Sequence, residues 1–206
     1  MIYKQLNTAN AGILIWRIDE SEQELINLLP DFYQYESELS KLASPKRRSE
    51  FLASRVALNT LAGKKVDVSY TNEGKPVCNT KSQHISISHS GKWIAVMLHP
   101  TNAVGIDIEI PTDKFEKLYK RFLNPFEQEH LYSDNDLRKI QLAWSAKEAL
   151  YKIIGLEAVN FDKQLEIKPF ELNNEGTFTG LHTVSGKIYL LNYIVNEEFN
   201  LVYCID

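Results

Sequence analysis

The chain has 206 residues, of which 44% are hydrophobic and 24% are charged, a composition typical of a globular protein with a sizeable core. Its formal net charge of −4 argues against a general nucleic-acid binder. No apolar stretch is long enough to cross a membrane, and residues 1–11 lack the pattern of a signal peptide. We therefore expect a cytoplasmic protein that binds neither nucleic acid nor membrane.

The first third of the chain predicts one strand and then helices. Residues 12–18 have the composition of a strand, and a capping-box pattern begins a short helix that ends at Pro30. A second amphipathic stretch covers residues 32–42. A serine–proline pair and Gly63 bracket a longer helix over residues 45–62.

That longer helix lies in a basic segment of the chain. Residues 41–65 carry seven lysines and arginines against one acid, Glu50. Arg48 and Arg55 are seven residues apart, which is nearly two helical turns, so they share one face. A local anion site is one interpretation of this pattern, and a solvated helix face is the other.

The rest of the chain repeats the order of helices followed by strands. Residues 84–88, 93–98 and 103–110 are predicted strands, and residues 136–154 form the longest predicted helix, ended by Gly155. Short strands follow near 163–168, 177–183, 186–194 and 199–205. The pattern predicts an α+β fold of two similar lobes, which we assign to residues 1–105 and 106–206.

The strand over residues 103–110 is predicted to carry two carboxylates on one face. Asp107 and Glu109 lie about 6–7 Å apart at the backbone and can reach one hard cation, and Gly105 is expected to leave open space beside them. The alternate residues are expected to point into the core: Val104, Ile106, Ile108 and Ile110. For these two acids alone, a solvated acidic face is the alternative.

The longest predicted helix places a lysine inside its apolar stripe. Lys147 falls between Trp144 and Leu150, while Glu148 lies at the edge of the stripe and Lys152 one turn beyond it. A lysine in a buried stripe is costly unless its ammonium has an anionic partner. The alternatives are a lysine that reaches solvent along its own stem and a surface pair between Glu148 and Lys152.

Two further features are weaker when taken alone. Residues 85–93 predict a strand that runs into a hydroxyl-rich turn, with His89 at its end, and such a turn can hydrogen-bond phosphate oxygens. An ordinary hairpin turn is the alternative. Glu127 lies three residues after Asn124, which is the spacing of a capping box.

Taken together and in order, five motifs over about residues 45–155 resemble those of the Sfp-type 4′-phosphopantetheinyl transferases. The motifs are Gly74-Lys75-Pro76, Ser86 to Ser90, Gly105-Ile106-Asp107-Ile108-Glu109, Phe122 to Glu127, and Trp144 through Lys147-Glu148 to Lys152. The family often has asparagine at the position of Ser86. The resemblance implies two similar α+β lobes related by a pseudo-twofold axis, with the active site in the cleft between them.

The resemblance also implies roles for individual residues. Asp107, Glu109 and Glu148 would hold Mg²⁺ on the pyrophosphate of coenzyme A, and Glu148, Lys152 and Glu109 would take part in catalysis. The implied contacts to phosphate groups of coenzyme A are Arg48, Arg55, Lys75, Ser88, His89, Lys147 and Lys152.

The implied reaction moves the phosphopantetheine arm of coenzyme A to a serine of an apo acyl or peptidyl carrier protein and releases adenosine 3′,5′-bisphosphate. Because Asp107 and Glu148 lie in one chain, we expect a monomer. Two alternatives remain open. One is another Mg²⁺-dependent phosphoester reaction, and the other is a non-catalytic protein of the same fold that binds coenzyme A or a carrier protein.

Overall fold

The computed structural model describes residues 1–8, 10–71, 74–79, 83–132, 136–155 and 159–206. Within these ranges it contains seven α-helices and eleven strands, all of whose pairings are antiparallel. This mixture of helices and antiparallel sheets confirms the predicted α+β class. The chain divides into two compact units, Met1–Thr101 and Asn102–Asp206.

The first unit packs a long helix on a four-stranded sheet with strand order β1-β2-β6-β5. The sheet strands are β1 (Ile2–Thr8), β2 (Ala11–Arg17), β5 (His84–Ser90) and β6 (Trp93–His99), and a separate hairpin joins β3 (Val68–Tyr70) to β4 (Pro76–Cys78). The helices are α1 (Glu22–Asn27), α2 (Glu36–Ser40) and α3 (Pro45–Ala62).

Local sequence chemistry determines where α1 begins and where α3 begins and ends. Ser21 and Glu24 form the predicted capping box at the start of α1. Pro45 occupies the first turn of α3, and Gly63 ends it with a left-handed φ of 62°. The buried face of α3, which includes Leu52 and Val56, packs with the inner face of the sheet.

The second unit packs its long helix on a five-stranded sheet with strand order β7-β11-β10-β9-β8. The strands are β7 (Val104–Glu109), β8 (Leu165–Ile167), β9 (Glu175–His182), β10 (Lys187–Val195) and β11 (Asn200–Ile205). The helices are α4 (Lys114–Leu118), α5 (Pro125–Leu131), α6 (Arg138–Ile154) and α7 (Phe161–Gln164). The predicted boundary at 105/106 would cut β7, whereas the compact units divide at 101/102.

The face of β7 that α6 covers is the one that carries the acids. Asp107 pairs in register with Val202 of β11, and Val202 belongs to the apolar core beneath α6. An added Cβ on Gly105 would overlap the Ala149 carbonyl oxygen of α6. The expectation of open space beside Gly105 is therefore wrong, because the missing side chain is what allows the helix to approach. Ile110, expected in the core, is 37% exposed.

Candidate active site

A carboxylate–lysine cluster forms where α6 crosses β7 in the second unit. The Nζ atom of Lys152 donates to the Ile106 carbonyl oxygen at 2.7 Å and to Asp107 Oδ1 at 3.0 Å. Glu148 lies one turn before Lys152 on α6. The Asp107 side chain is only 7% exposed and that of Lys152 is 23% exposed. The structure thus brings together three residues that the sequence assigned to the site.

The charge of Glu148 is unfavourable in this cluster. Burial, followed by the negative charges of Asp107 and Glu109, raises the pKa of its carboxyl group to about 7, and the positive charges of Lys152 and Lys114 oppose the shift. Glu109 forms an ion pair with Lys114 at 3.4 Å, a partner that the sequence analysis did not identify. The five-residue spacing of Glu109 and Lys114 crosses a strand end, so neither helix nor strand periodicity could have indicated it.

The donor set fits a magnesium ion that is completed by its substrate. Within the part of the chain that the structure describes, no three histidine, cysteine or carboxylate side chains are grouped closely enough to hold a metal by themselves. Mg²⁺ commonly takes one or two protein carboxylates and fills its other positions with phosphate oxygens and water. Asp107 and Glu148 supply two such carboxylates. Their negative charges repel each other, and a bound cation would offset that repulsion.

Lys147, in contrast, is closed off from any ligand. Its side chain is 0% exposed, and Nζ forms a 2.6 Å ion pair with Glu127. The same ammonium donates to three backbone carbonyl oxygens at 2.7–2.9 Å, those of Phe122, Phe161 and Leu165. The implied contact between Lys147 and phosphate oxygens is therefore corrected, because every direction around its ammonium is filled by protein.

Glu127 is the anionic partner that the buried lysine required. Its carboxylate completes the predicted capping box with Asn124 and also accepts from the backbone N–H of Ile167 at 2.7 Å. Burial raises the pKa of Glu127 and lowers the pKa of Lys147, and their mutual attraction opposes both shifts. The pair joins α5 and α6 to the start of β8, which is a structural role.

A second cluster lies in the first unit, around Glu50. This buried carboxylate accepts from Arg47 Nη1 at 3.2 Å and lies 3.6 Å from His89 Nδ1. Arg47 Nη1 also lies 3.3 Å from His89 Nε2. These three residues line a groove of about 280 Å³, which we call the His89 groove. Arg47 was counted in the basic segment but not assigned to the site, although its three-residue spacing from Glu50 would have indicated a helical pair.

The structure separates Arg48 from that groove. Its guanidinium forms an ion pair with Glu22 of α1, with Nε to Oε2 at 2.8 Å, and donates to the Leu39 carbonyl oxygen at 3.1 Å. This hydrogen-bonded ion pair raises the pKa of Arg48 and lowers the pKa of Glu22. Successive helix residues point about 100° apart, and Arg47 and Arg48 accordingly pair with different acids, Glu50 and Glu22.

The remaining predicted phosphate contacts have different surroundings. Lys75 lies between two residues of the His89 groove, Gly74 and Pro76, and burial lowers its pKa. Ser88 is buried and faces the other side of β5 from His89, because side chains alternate along a strand. Arg55 is 2% exposed and does not line the His89 groove, although Phe51 and Tyr70, beside its guanidinium, do.

Comparison with known proteins gives one consistent family. Residues 103–204, nearly the whole second unit, match the model of the 4′-phosphopantetheinyl transferase superfamily. The chain is 30% identical over 160 residues to the 4′-phosphopantetheinyl transferase HetI of Nostoc sp., with 68% of each chain covered. It is also 30% identical over 126 residues to the putative 4′-phosphopantetheinyl transferase slr0495 of Synechocystis sp., covering 54% of this chain and 51% of that protein.

A third relative agrees with these two. The 4′-phosphopantetheinyl transferase AcpT of Salmonella typhi is 30% identical over 115 residues, which cover 53% of this chain and 60% of that protein. The chain thus spans about half to two thirds of the length of these relatives. The match to HetI, together with the family model over β7 and α6, shows that this chain belongs to the 4′-phosphopantetheinyl transferase superfamily.

Proposed function

We propose that the protein transfers 4′-phosphopantetheine from coenzyme A to a serine hydroxyl of an apo acyl or peptidyl carrier protein. The observation that carries this proposal is the cluster of Asp107, Glu148 and Lys152 at the crossing of α6 and β7. Two acids repel each other there, and a lysine ammonium adjoins one of them. Such a cluster suits a pyrophosphate with its divalent cation.

In the proposed reaction the serine oxygen forms a bond to the phosphorus on the pantetheine side. The bond from that phosphorus to the bridging oxygen breaks, and adenosine 3′,5′-bisphosphate leaves with the electron pair. A carboxylate of the cluster, Glu148 or Glu109, takes the serine proton, directly or through a water molecule.

The other residues of the cluster act by position and charge. When bound, Mg²⁺ would offset negative charge on the pyrophosphate oxygens, with Asp107 and Glu148 as its protein ligands and Glu109 beside them. Lys152 already neutralises Asp107 at 3.0 Å, and its ammonium can turn to a phosphate oxygen of the leaving group. Rate acceleration then comes from positioning and electrostatic stabilisation.

We further propose that the Arg47–His89 cluster binds the 3′-phosphate of coenzyme A. A dianionic phosphate would draw both side chains away from Glu50, and Lys75 lies in sequence between Gly74 and Pro76, which line the same groove. Ser88 and Arg48 are not carried into this proposal, because the first faces away from the groove and the second is paired with Glu22.

The test compares two neighbouring arginines. Arg47→Ala should raise KM for coenzyme A about tenfold and leave KM for 3′-dephospho-coenzyme A unchanged, since a charge-assisted hydrogen bond is worth about 1.5–3 kcal/mol. Arg48→Ala should leave both KM values unchanged and lower only the melting temperature. Equal effects of Arg47→Ala on both substrates would remove the 3′-phosphate from this groove.

The proposal also covers the oligomeric state and the location of the protein. We expect a monomer, because the chain carries both Asp107 and Glu148, and light scattering that found an obligate trimer would contradict this. Within the described residues, no helix has both the length and the apolar character needed to cross a membrane. A cytoplasmic location and an active site in the cleft between the lobes stay predictions.

A further inference from the structure

Arg55 of α3 is a buried cation with no carboxylate partner in the described part of the chain. It is 2% exposed. Its Nη1 donates to Ser54 Oγ at 3.1 Å and its Nη2 to the Tyr70 hydroxyl at 2.7 Å. Its guanidinium carbon lies 4.5 Å from the Phe51 ring centroid and 5.4 Å from that of Tyr70. Two neutral hydroxyls and two rings leave the positive charge without a counter-ion, which is costly for a buried guanidinium.

A groove of about 420 Å³ adjoins this arginine, and we call it the Arg55 groove. Tyr35 lines it and is 7% exposed, and its hydroxyl has no hydrogen-bond partner among the described residues. A buried hydroxyl is ordinarily hydrogen-bonded, so Tyr35 points to a missing acceptor just as Arg55 points to a missing anion. The Arg55 guanidinium and the Tyr35 hydroxyl, which lack these partners among the described residues, lie in different elements, α3 and the turn before α2.

The rim of the groove is mixed in charge. Lys41 and Ser69 lie there, together with Glu38 and Asp67. Asp67 is paired with Lys65 at 3.3 Å, so part of the negative charge on the rim is already offset. The buried wall of the groove therefore carries the unbalanced positive charge, and the exposed rim is close to neutral.

The Arg55 groove differs from the proposed 3′-phosphate site. Phe51 and Tyr70 line both grooves, whereas Arg47 and His89 line only the His89 groove and Arg55 lines only its own. The aromatic rings of Phe51 and Tyr70 therefore form a common wall. A ligand on one side of this wall would leave the cations on the other side in place.

We propose that the Arg55 groove is a second anion site, which binds the phosphate or carboxylate group of a small molecule other than the coenzyme A in the His89 groove. The guanidinium offers paired N–H donors that match an oxyanion, and the Tyr35 hydroxyl supplies a further donor. The surrounding rings of Tyr35, Phe51 and Tyr70 would contact an apolar body attached to the anion.

The test titrates inorganic phosphate into the full chain at constant ionic strength, with chloride as the balancing ion. Phosphate should raise the melting temperature of the native protein. Tyr35→Phe should bind phosphate about tenfold more weakly, because it lacks one charge-assisted hydrogen bond. In chloride alone this variant should be as stable as the native protein, since the hydroxyl it loses has no partner.

Matched variants show which residues cause the phosphate response. Tyr33→Phe removes a hydroxyl from a tyrosine that is 74% exposed, and it should bind phosphate like the native protein. In protein saturated with coenzyme A, which occupies the His89 groove, Arg55→Met should lose the phosphate response altogether. If Tyr35→Phe and Tyr33→Phe respond to phosphate alike, only non-specific anion binding remains and the proposal is overturned.

A final arm separates two sources of the phosphate group. The titration is repeated with the protein saturated with coenzyme A, which occupies the His89 groove, and the Arg55 groove should still respond to inorganic phosphate. Loss of the response would mean that phosphate binds only where coenzyme A binds, and it would overturn a separate site. That result would leave the proposed transferase function intact, because transfer activity is measured independently.

Discussion

At the residue scale, Glu148 carries a charge that the fold makes unfavourable. Its carboxyl pKa is raised from 4.5 to about 7, first by burial and then by the charge of Asp107. The folded chain therefore holds a proton on Glu148 in a pH range where the unfolded chain has lost it. The resulting stability is fully present below about pH 4.5 and is lost as the pH rises through about 7.

Glu148→Gln should remove this pH dependence from the metal-free protein. Between about pH 5.5 and about pH 8.5, the free energy of unfolding of the native chain should fall by about 2 kcal/mol more than that of the variant. Urea unfolding with a chelator present measures the difference, and Glu129→Gln, at an exposed position, is the control. Parallel pH profiles for native protein and Glu148→Gln would mean that Glu148 titrates normally.

For Lys147, the sequence indicated that the buried ammonium needs an anionic partner, but it did not indicate which residue is that partner. Its place in an apolar stripe required an anionic partner, and the structure supplies Glu127, 20 residues away, at 2.6 Å. The capping-box spacing identified one function of Glu127 but could not show that the same carboxylate faces α6. Long-range pairing of this kind depends on how α5 packs against α6, which periodicity does not determine.

Breaking this ion pair should destabilise the fold. Lys147→Met leaves Glu127 buried without its counter-ion and should cost about 3–5 kcal/mol, whereas Lys147→Met with Glu127→Gln should recover much of that loss. Urea unfolding of the two single variants and the double variant gives the coupling energy. A stable Lys147→Met protein with a raised KM for coenzyme A would instead restore the phosphate contact that the family resemblance implied.

At the scale of elements, the position of the cluster depends on how closely α6 approaches β7. A side chain at Gly105 would overlap the backbone carbonyl of Ala149, so only glycine allows this approach. The bounds of α3 and the end of α6 followed from Pro45, Gly63 and Gly155, and the structure confirms them. Strand β1 was missed because none of its residues is buried and its composition is largely polar.

Gly105→Ala should therefore displace α6 and cost about 1–3 kcal/mol or more in the free energy of unfolding. The matched control is Gly12→Ala in β2, where an added Cβ would meet only the tip of the flexible Leu61 side chain, at 3.0 Å. Thermal or urea unfolding of both variants provides the comparison. Equal and small losses would mean that α6 can move away without cost and that the close approach is not required.

At the scale of the whole molecule, the two units differ in how readily the sequence indicates their function. The family model covers residues 103–204, where Asp107, Glu148 and Lys152 come from a strand and a helix with regular periodicity. In the first unit, three arginines of α3 have three different partners. Arg48 pairs with Glu22, Arg47 pairs with Glu50, and Arg55 donates to the Tyr70 hydroxyl. Helical spacing predicts that Arg47 and Arg48 diverge and that Arg48 and Arg55 share a face, but only the packing of α1, β5 and the β3–β4 hairpin determines the partner of each.

The central claim is that the cluster on β7 and α6 carries out phosphopantetheine transfer, and mass spectrometry of an apo carrier protein tests it most directly. With coenzyme A and Mg²⁺, the native protein and the exposed control Glu175→Gln should each add one phosphopantetheine to the carrier. Asp107→Asn, Glu148→Gln and a chelator should each abolish the addition while the fold is retained. Full transfer by Asp107→Asn or Glu148→Gln would contradict the account.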